Sequence, residues 1–293
     1  MRFSASAGRG SRVFRLATEI PRSPPMRTHF ESILLLSLAA CAAAPSDSAA
    51  AAGVRPWDAP PLARATVVRD AHSGRRLELE ELFDELAEAD AVFLGEEHTD
   101  ETTHRVELAV YEGLLARRGD RVVLAMEMFQ HDAQPLLDDY LAGRIDEATF
   151  LEGAEPWGNY WAAYRPLIER ARAGGPGIER ARAGGPGLRV IGSNYPRSLT
   201  RKVAMGGADA LAALDESERA LVPAELLANS TAYHRRVDNA IRGHIGMMGP
   251  RDPDDPRLYT TQTLWDNAMG EACAKVLDEI GRASCRERVL RLV

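Results

Sequence analysis

The chain has 293 residues, 45% of them hydrophobic, which is enough apolar material for one large core or two small ones. Its formal net charge is −7. A general nucleic-acid surface needs clustered basic residues, so no nucleic-acid partner is expected.

The N-terminal region predicts export rather than a folded domain. Residues 1–25 are basic and rich in Ser and Pro, and we interpret them as a mis-called start ahead of Met26. Residues 26–41 read as a signal peptide, with a short basic start and an apolar run too short to span a bilayer. The sequence LAAC at 38–41 resembles a bacterial lipobox, in which Cys41 is lipidated; the alternative is an ordinary signal peptide with an incidental cysteine.

The residues after Cys41 predict a tether and a location. Residues 42–56 have the Ala/Ser/Pro composition of a flexible linker. Because Ala42 follows the cysteine, the sorting pattern that the segment resembles predicts a cell-envelope lipoprotein. It would be held by its lipid anchor in the outer membrane and face the periplasm.

From residue 57 the chain alternates strands and helices. Residues 65–89 predict a short strand, a turn at Ser73 and Gly74, and an amphipathic helix. Residues 90–98 and 121–129 predict buried strands on either side of a helix that Gly119 ends. A strand, helix and strand within about 40 residues form a βαβ unit, so we expect a parallel sheet.

The second half is mainly helical. Residues 132–175 predict two or three short helices, 188–197 predict a third buried strand and turn, and the rest is helical with Gly/Pro breaks. The decapeptide IERARAGGPG occurs twice, at 168–177 and 178–187, which indicates a recent duplication or an assembly slip.

The C-terminal residues are predicted not to belong to the domain. Residues 280–289 resemble the translated read-through of a common sequencing adapter, and we predict that 280–293 are a non-native tail. The domain would then span 57–279 and be incomplete at its C-terminus; the alternative is a genuine basic tail. Cys273 is expected to be a buried, inert thiol.

Polar side chains follow all three predicted strands. In a parallel sheet the carboxyl ends of the strands meet at one edge, where ligands bind. Glu127 is the strongest candidate for a functional or ligand-binding residue, because an acid in an apolar strand is rarely buried without a partner. The alternative is a structural ion pair with an arginine such as Arg197. The candidates from the three ends are Glu96 and His98, then Glu127, then Asn194, Tyr195 and Arg197.

Two histidines flank the predicted helix start after the first strand. His98 and His104 are six residues apart, so they can share a site only if His98 lies in the loop and His104 inside the helix. Asp100 and Glu101 are explained as helix-start residues, with Thr99 or Asp100 as the N-cap. Farther along, His244 with Met247 is either a soft-ligand or haem-contact face or ordinary core packing.

The order of motifs resembles a known family. The carrying segments are VFLGEEH with His104 following, AMEMFQHDAQPLLDDYLAG, PWGNYWAAYRPLIERA, IGSNYPR, RGHIGMM and TQTLWDNAMGEA. This order is similar to that of the ChaN-like haem-binding lipoproteins within the TIKI-type superfamily. The resemblance implies an α/β fold with a mostly parallel central sheet flanked by helices and an added helical subdomain.

The resemblance also implies haem or another iron-containing small molecule as partner, a role in haem or iron uptake, and haem bound between two subunits of a homodimer. It implies a tyrosine among the iron-binding side chains, for which Tyr160, Tyr164 and Tyr195 are candidates. The expected haem- or ligand-contacting set is His98, His104, Glu127, Tyr160, Tyr164, Asn194, Tyr195, Arg197, His244 and Met247.

Relatives in the same superfamily leave an enzymatic alternative open. Some are metal-dependent proteases, and esterase-like members hydrolyse with the corresponding histidine and glutamates. In that reading His98, Glu127 and His244 hold a divalent metal, and Glu96 and Glu127 are catalytic. The chain departs from the family pattern at Thr103, where a second histidine is common, and in lacking a final strand with a second glycine/histidine motif.

Overall fold

The computed structural model describes residues 2–6, 11–17, 61–174, 188–223, 226–227, 256–282 and 288–292, with side-chain surroundings for 61–174, 188–223, 226–227 and 260–279. The predicted signal peptide, the lipidation site Cys41, the linker at 42–56, His244 and Met247 lie outside these residues. So does most of the duplicated decapeptide.

Within the described residues, eight strands form one sheet: β1 Arg2–Ser6, β2 Ser11–Ala17, β3 Val67–Asp70, β4 Arg76–Leu77, β5 Ala91–Leu94, β6 Val122–Gln130, β7 Val190–Asn194 and β8 Arg288–Leu292. Their order across the sheet is β4-β3-β2-β1-β5-β8-β6-β7. The β5, β8, β6 and β7 strands pair in parallel, and β1 to β4 add an antiparallel extension beyond β5. The α/β class with a parallel core is confirmed, whereas the extension is not foreseen by the sequence patterns.

Three strands come from segments that were predicted to lie outside the domain. The β1 and β2 strands lie within residues 1–25, and β8 lies within 280–293. The β8 strand fills the position between β5 and β6, which pair with it on either side. Backbone hydrogen bonds between strands form with many different side chains. The mis-called start at residues 1–25 and the non-native tail at 280–293 therefore stay predictions.

Helices cover both faces of the parallel strands. They are α1 Leu62–Ala65, α2 Leu79–Ala87, α3 Glu101–Arg118, α4 Gln134–Leu141, α5 Glu147–Ala154, α6 Tyr160–Ala163, α7 Arg165–Arg172, α8 Arg197–Ala212, α9 Glu216–Arg219 and α10 Pro256–Arg282. None of the helices in the described part of the chain combines the length and apolar character needed to cross a bilayer.

The β6 strand shows why the parallel core is covered on both sides. Successive side chains of a strand point to opposite faces. Leu124 and Met126 pack into the large core beneath α2 to α7, whereas Val123 and Ala125 contact Cys273 of α10 on the other face. A continuous apolar run is the sequence that such a two-sided strand requires. Cys273 is a buried free thiol, as predicted.

The α3 helix begins and ends where its capping residues predict. The side chain of Asp100 accepts hydrogen bonds from the backbone N–H of Thr102 and Thr103, at 2.7 and 3.4 Å. At the other end Gly119 has φ of 63°, a conformation that costs other residues energy because of their Cβ atom. Local chemistry therefore fixes the frame that carries His104 inside the helix.

The predicted helical subdomain is built around stacked aromatic rings. Tyr140 of α4 stacks on Phe150 of α5 with ring centroids 4.7 Å apart, and Phe129 at the end of β6 lies 5.6 Å from Phe150. The rings of Phe129, Tyr140 and Phe150 are all almost fully buried. This packing places Tyr164, between α6 and α7, against the carboxyl end of β5.

Candidate functional site

The loop between β5 and α3 carries a buried carboxylate that two other side chains hold in place. The Glu96 side chain has no solvent exposure. Its Oε1 lies 2.5 Å from Nδ1 of His98 and accepts a hydrogen bond of 2.7 Å from the Tyr164 hydroxyl. A loop histidine and a tyrosine of the helical subdomain therefore meet at one oxygen atom of Glu96.

The pKa shifts of Glu96 and His98 favour a negatively charged carboxylate beside a positively charged imidazole. Burial by itself raises the pKa of Glu96, but the hydrogen bonds of His98 and Tyr164 and the neighbouring Glu107 carboxyl bring it below its ordinary value. The hydrogen bond to Glu96 raises the pKa of His98 above its ordinary value. Burial and the Glu96 carboxylate raise the pKa of Tyr164, so its hydroxyl keeps its proton and acts as the donor.

A second pair, His104 and Glu107, lies directly behind the first within α3. The residues are three apart and share a helix face, with His104 Nδ1 3.0 Å from Glu107 Oε2. Nε2 of His104 lies 3.1 Å from the backbone carbonyl of His98. A carbonyl oxygen only accepts, so Nε2 carries a proton, and Nδ1 and Glu107 share one further proton between them.

Burial dominates the electrostatics of Glu107. Its side chain has no solvent exposure, and this burial, with the Glu96 charge nearby, raises its pKa to about 8. Burial lowers the pKa of His104, but the hydrogen bond and charge of Glu107 outweigh this and raise it overall. The Glu107 carboxyl thus holds its proton to a higher pH than an ordinary glutamate.

Two further side chains fix the position of His98. Asn159 donates from Nδ2 to the His98 carbonyl at 2.8 Å and to the Tyr164 hydroxyl at 3.3 Å. The Trp157 ring meets the His98 imidazole edge to face, with centroids 4.8 Å apart. The His98 side chain remains 41% exposed, so it is the member of this network that a ligand reaches from solvent.

The other two strand ends lie beside this network, as the parallel sheet predicts. Asn194 at the end of β7 donates from Nδ2 to the backbone carbonyl of Glu127 in β6 at 3.2 Å, and its Oδ1 accepts from the Tyr195 N–H. The Glu127 carboxylate contributes to the raised pKa of His98, which places its charge within electrostatic range of the loop.

Three sequence candidates lie elsewhere in the fold. Tyr160 donates its hydroxyl to Glu147 at 3.0 Å instead of turning toward Glu96. Tyr195 is buried among the side chains that join α8 to α10, and Arg197 is exposed at the start of α8. As ligand-contacting residues these three stay predictions.

Sequence reasoning missed Glu107 and Asn159. The signal for Glu107 was available, because an acid three residues after His104 interrupts an otherwise apolar helix face in the segment RVELAV. Asn159 gave no signal, since its contacts depend on how the helical subdomain docks. The carboxylate partner of His104 is Glu107.

The donor atoms present suit two kinds of group. Glu96, His104 and Glu107 offer carboxylate oxygen and imidazole nitrogen atoms that all lie within 4.8 Å of one another, which suits a small cation. His98, with Nδ1 held by Glu96, has Nε2 remaining for an external ligand such as a haem iron.

One family model matches most of the chain, and one solved structure shares its fold. The family model described as haem-binding uptake, Tiki superfamily, ChaN matches residues 82–288. The solved structure of ChaN from Campylobacter jejuni, described as showing cofacial haem binding, is similar over 78% of each chain, with a TM-score of 0.51 and 16% sequence identity. That likeness supports the fold. A comparison with curated protein sequences finds no match.

Proposed function

The chain belongs to the haem-binding uptake family of the Tiki superfamily that includes ChaN, and from this premise we propose that it binds haem. The family match is the observation that carries the proposal. Haem supplies an iron atom that takes imidazole or phenolate as an axial ligand, and the network around Glu96 contains both groups.

Solvent exposure favours His98 over the tyrosines as the iron ligand. Tyr160, Tyr164 and Tyr195 are 2%, 0% and 1% exposed, and the hydroxyls of the first two already donate to carboxylates. A ligand-binding histidine is usually oriented by a carboxylate or carbonyl on its other ring nitrogen, and Glu96 occupies that position on His98. His98 would hold the iron through Nε2, and Glu96 would fix the ring and increase its basicity.

Hemin titration tests the proposal. Adding hemin to the full chain is expected to give a Soret band that saturates at a fixed stoichiometry. His98→Ala is expected to shift or weaken it, whereas His72→Ala, at an exposed turn histidine, leaves it unchanged. The absence of a Soret band with the unmodified protein contradicts haem binding. A band lost in Tyr164→Phe but kept in His98→Ala assigns the iron to tyrosine instead.

Anchoring and assembly complete the proposal. The lipobox-like segment supports attachment through a lipid on Cys41, with the protein in the outer membrane facing the periplasm and acting in haem or iron uptake. The family resemblance supports a homodimer around haem. Fractionation of Cys41→Ala should move the protein from the membrane to the soluble fraction, and light scattering with and without hemin should show the dimer. An unchanged membrane fraction contradicts the anchor.

A metal-dependent hydrolase is a second candidate, which the hydrogen-bonded pair of Glu96 and the accessible His98 favours. Such a pair supports general acid–base chemistry, and the Glu127 charge nearby supplies the third group that the sequence suggested. Because Glu96 is fully buried, it would act through His98 instead of contacting water directly. Divalent-metal-dependent ester or peptide cleavage that is lost in His98→Ala and Glu127→Ala supports this function. Turnover in both variants equal to that of the unmodified protein contradicts it.

A further inference from the structure

Two buried carboxylate oxygens behind His98 have no hydrogen-bond partner among the residues that the structure describes. They are Glu96 Oε2 and Glu107 Oε1. Both side chains have no solvent exposure, so water does not solvate these atoms from the surface. Buried carboxylates in proteins are normally paired, hydrogen-bonded or bound to a metal, and orphaned oxygens on two facing residues call for a shared occupant.

The third donor at this place is the imidazole of His104. Its Nδ1 lies 3.0 Å from Glu107 Oε2 and 3.8 Å from Glu96 Oε2. Donor atoms about 2.0–2.2 Å from a tetrahedral zinc ion lie roughly 3.3–3.6 Å from one another. The two separations from the imidazole bracket this range, and the donor atoms of all three residues lie within 4.8 Å of one another. Small side-chain rotations therefore bring them to coordination distance.

The surroundings hold the donors in the orientation that a metal requires. The Nε2 proton of His104 points to the carbonyl of His98, which is the usual outer partner of a metal-binding histidine and leaves Nδ1 directed at the two carboxylates. Asn159 donates to the same carbonyl and so fixes its position. His98 and Tyr164 occupy Oε1 of Glu96 and leave Oε2 for the cluster.

We propose that Glu96, His104 and Glu107 form a buried binding site for a divalent transition-metal ion of the zinc class. Two carboxylates balance the charge of such an ion, and a mixed nitrogen and oxygen donor set suits zinc. Calcium needs six to eight oxygen donors and magnesium retains several waters, and the buried cluster offers neither. This site shares Glu96 with the groups that orient His98, but its donor set is neither the haem ligand nor the metal set of the hydrolase candidate, and it depends on neither function.

Zinc titration of the full chain, freed of any purification tag and stripped with a chelator, tests the proposal. The unmodified protein is expected to bind one Zn²⁺ in competition with a chromophoric chelator. Since loss of an outer-shell partner alone weakens metal binding by about 10–100-fold, Glu107→Gln is expected to weaken it at least roughly 100-fold. Glu112→Gln is the matched control, because it lies on the same helix with a half-exposed side chain and should bind as the unmodified protein does.

The alternative occupant is a shared proton, and the same experiment separates the two. A protein that binds no Zn²⁺, or Glu107→Gln binding as tightly as Glu112→Gln, overturns the metal site. Affinity lost in His98→Ala but kept in Glu107→Gln places the ion outside the cluster and also overturns it. If Glu107→Gln does not fold, the unmodified protein loaded with Co²⁺ decides: intense visible d–d bands of a low-coordinate site that vanish in His104→Gln support the proposal, and their absence refutes it.

Discussion

Removing the hydroxyl of Tyr164 should destabilise the protein more than removing an equivalent hydroxyl nearby. In Tyr164→Phe the ring keeps its packing, but Oε1 of the fully buried Glu96 loses a donor at 2.7 Å. Hydrogen bonds to charged groups contribute about 1.5–3 kcal/mol, so we expect a loss of about 2 kcal/mol in the free energy of unfolding.

Tyr160→Phe is the matched comparison. Its hydroxyl also donates to a carboxylate, at 3.0 Å, and its ring is equally buried. The acceptor Glu147, however, is 21% exposed and is paired with Arg165 at 2.7 Å. Water and the guanidinium replace the lost donor there, so the cost should stay below about 1 kcal/mol.

Urea unfolding in the presence of a chelator measures both values without interference from bound metal. Circular dichroism and tryptophan fluorescence should give coincident transitions, and the midpoint shift at constant slope gives the difference. For a chain of this size, each kcal/mol lowers Tm by about 2–4 °C, so Tyr164→Phe should melt roughly 4–8 °C lower. Equal losses in the two variants, or a neutral Tyr164→Phe, would refute the inference that Glu96 is a buried charge dependent on its donors.

Three other measurements test the fold. Phe150→Ala removes a fully buried ring stacked on Tyr140 and should cost about 3–5 kcal/mol; a loss under about 1 kcal/mol contradicts the aromatic core. Asp100→Ala should cost about 1 kcal/mol by removing the cap of α3, whereas Asp100→Asn retains an acceptor and should cost less; equal losses count against the cap. Burial lowers the pKa of His131 in the folded protein. Its contribution to the free energy of unfolding is therefore complete above its unfolded pKa of about 6.5 and is lost as the pH falls through the lower folded pKa. An NMR titration that gives a folded pKa of about 6.5 or higher contradicts this.

The sequence predicted the elements whose signals are local. The helix α3 was bounded correctly because Asp100 and Gly119 satisfy its backbone ends by themselves. The buried strands were recognisable because both of their faces are covered, which leaves continuous apolar runs. The meeting of Glu96, Glu127 and Asn194 at one edge followed from the rule that parallel strands end together.

Contacts between residues distant in the sequence could not be predicted from such local rules. Which tyrosine meets Glu96 depends on how α6 and α7 dock against β5, so Tyr160 and Tyr164, alike in sequence, have different partners. The antiparallel extension was equally hidden, since the pairing of β1 with β5 joins segments about 90 residues apart.

The sequence by itself determined that this is an α/β protein of the ChaN family with acids and histidines at the end of its first parallel strand. Only the tertiary structure decided which of them are buried against one another. Glu107 interrupts the apolar face of α3, but its partner is not apparent until the loop carries Glu96 over it. Burial removes the water that would solvate either charge, and that desolvation, which no local pattern encodes, turns two glutamates and a histidine into a candidate site.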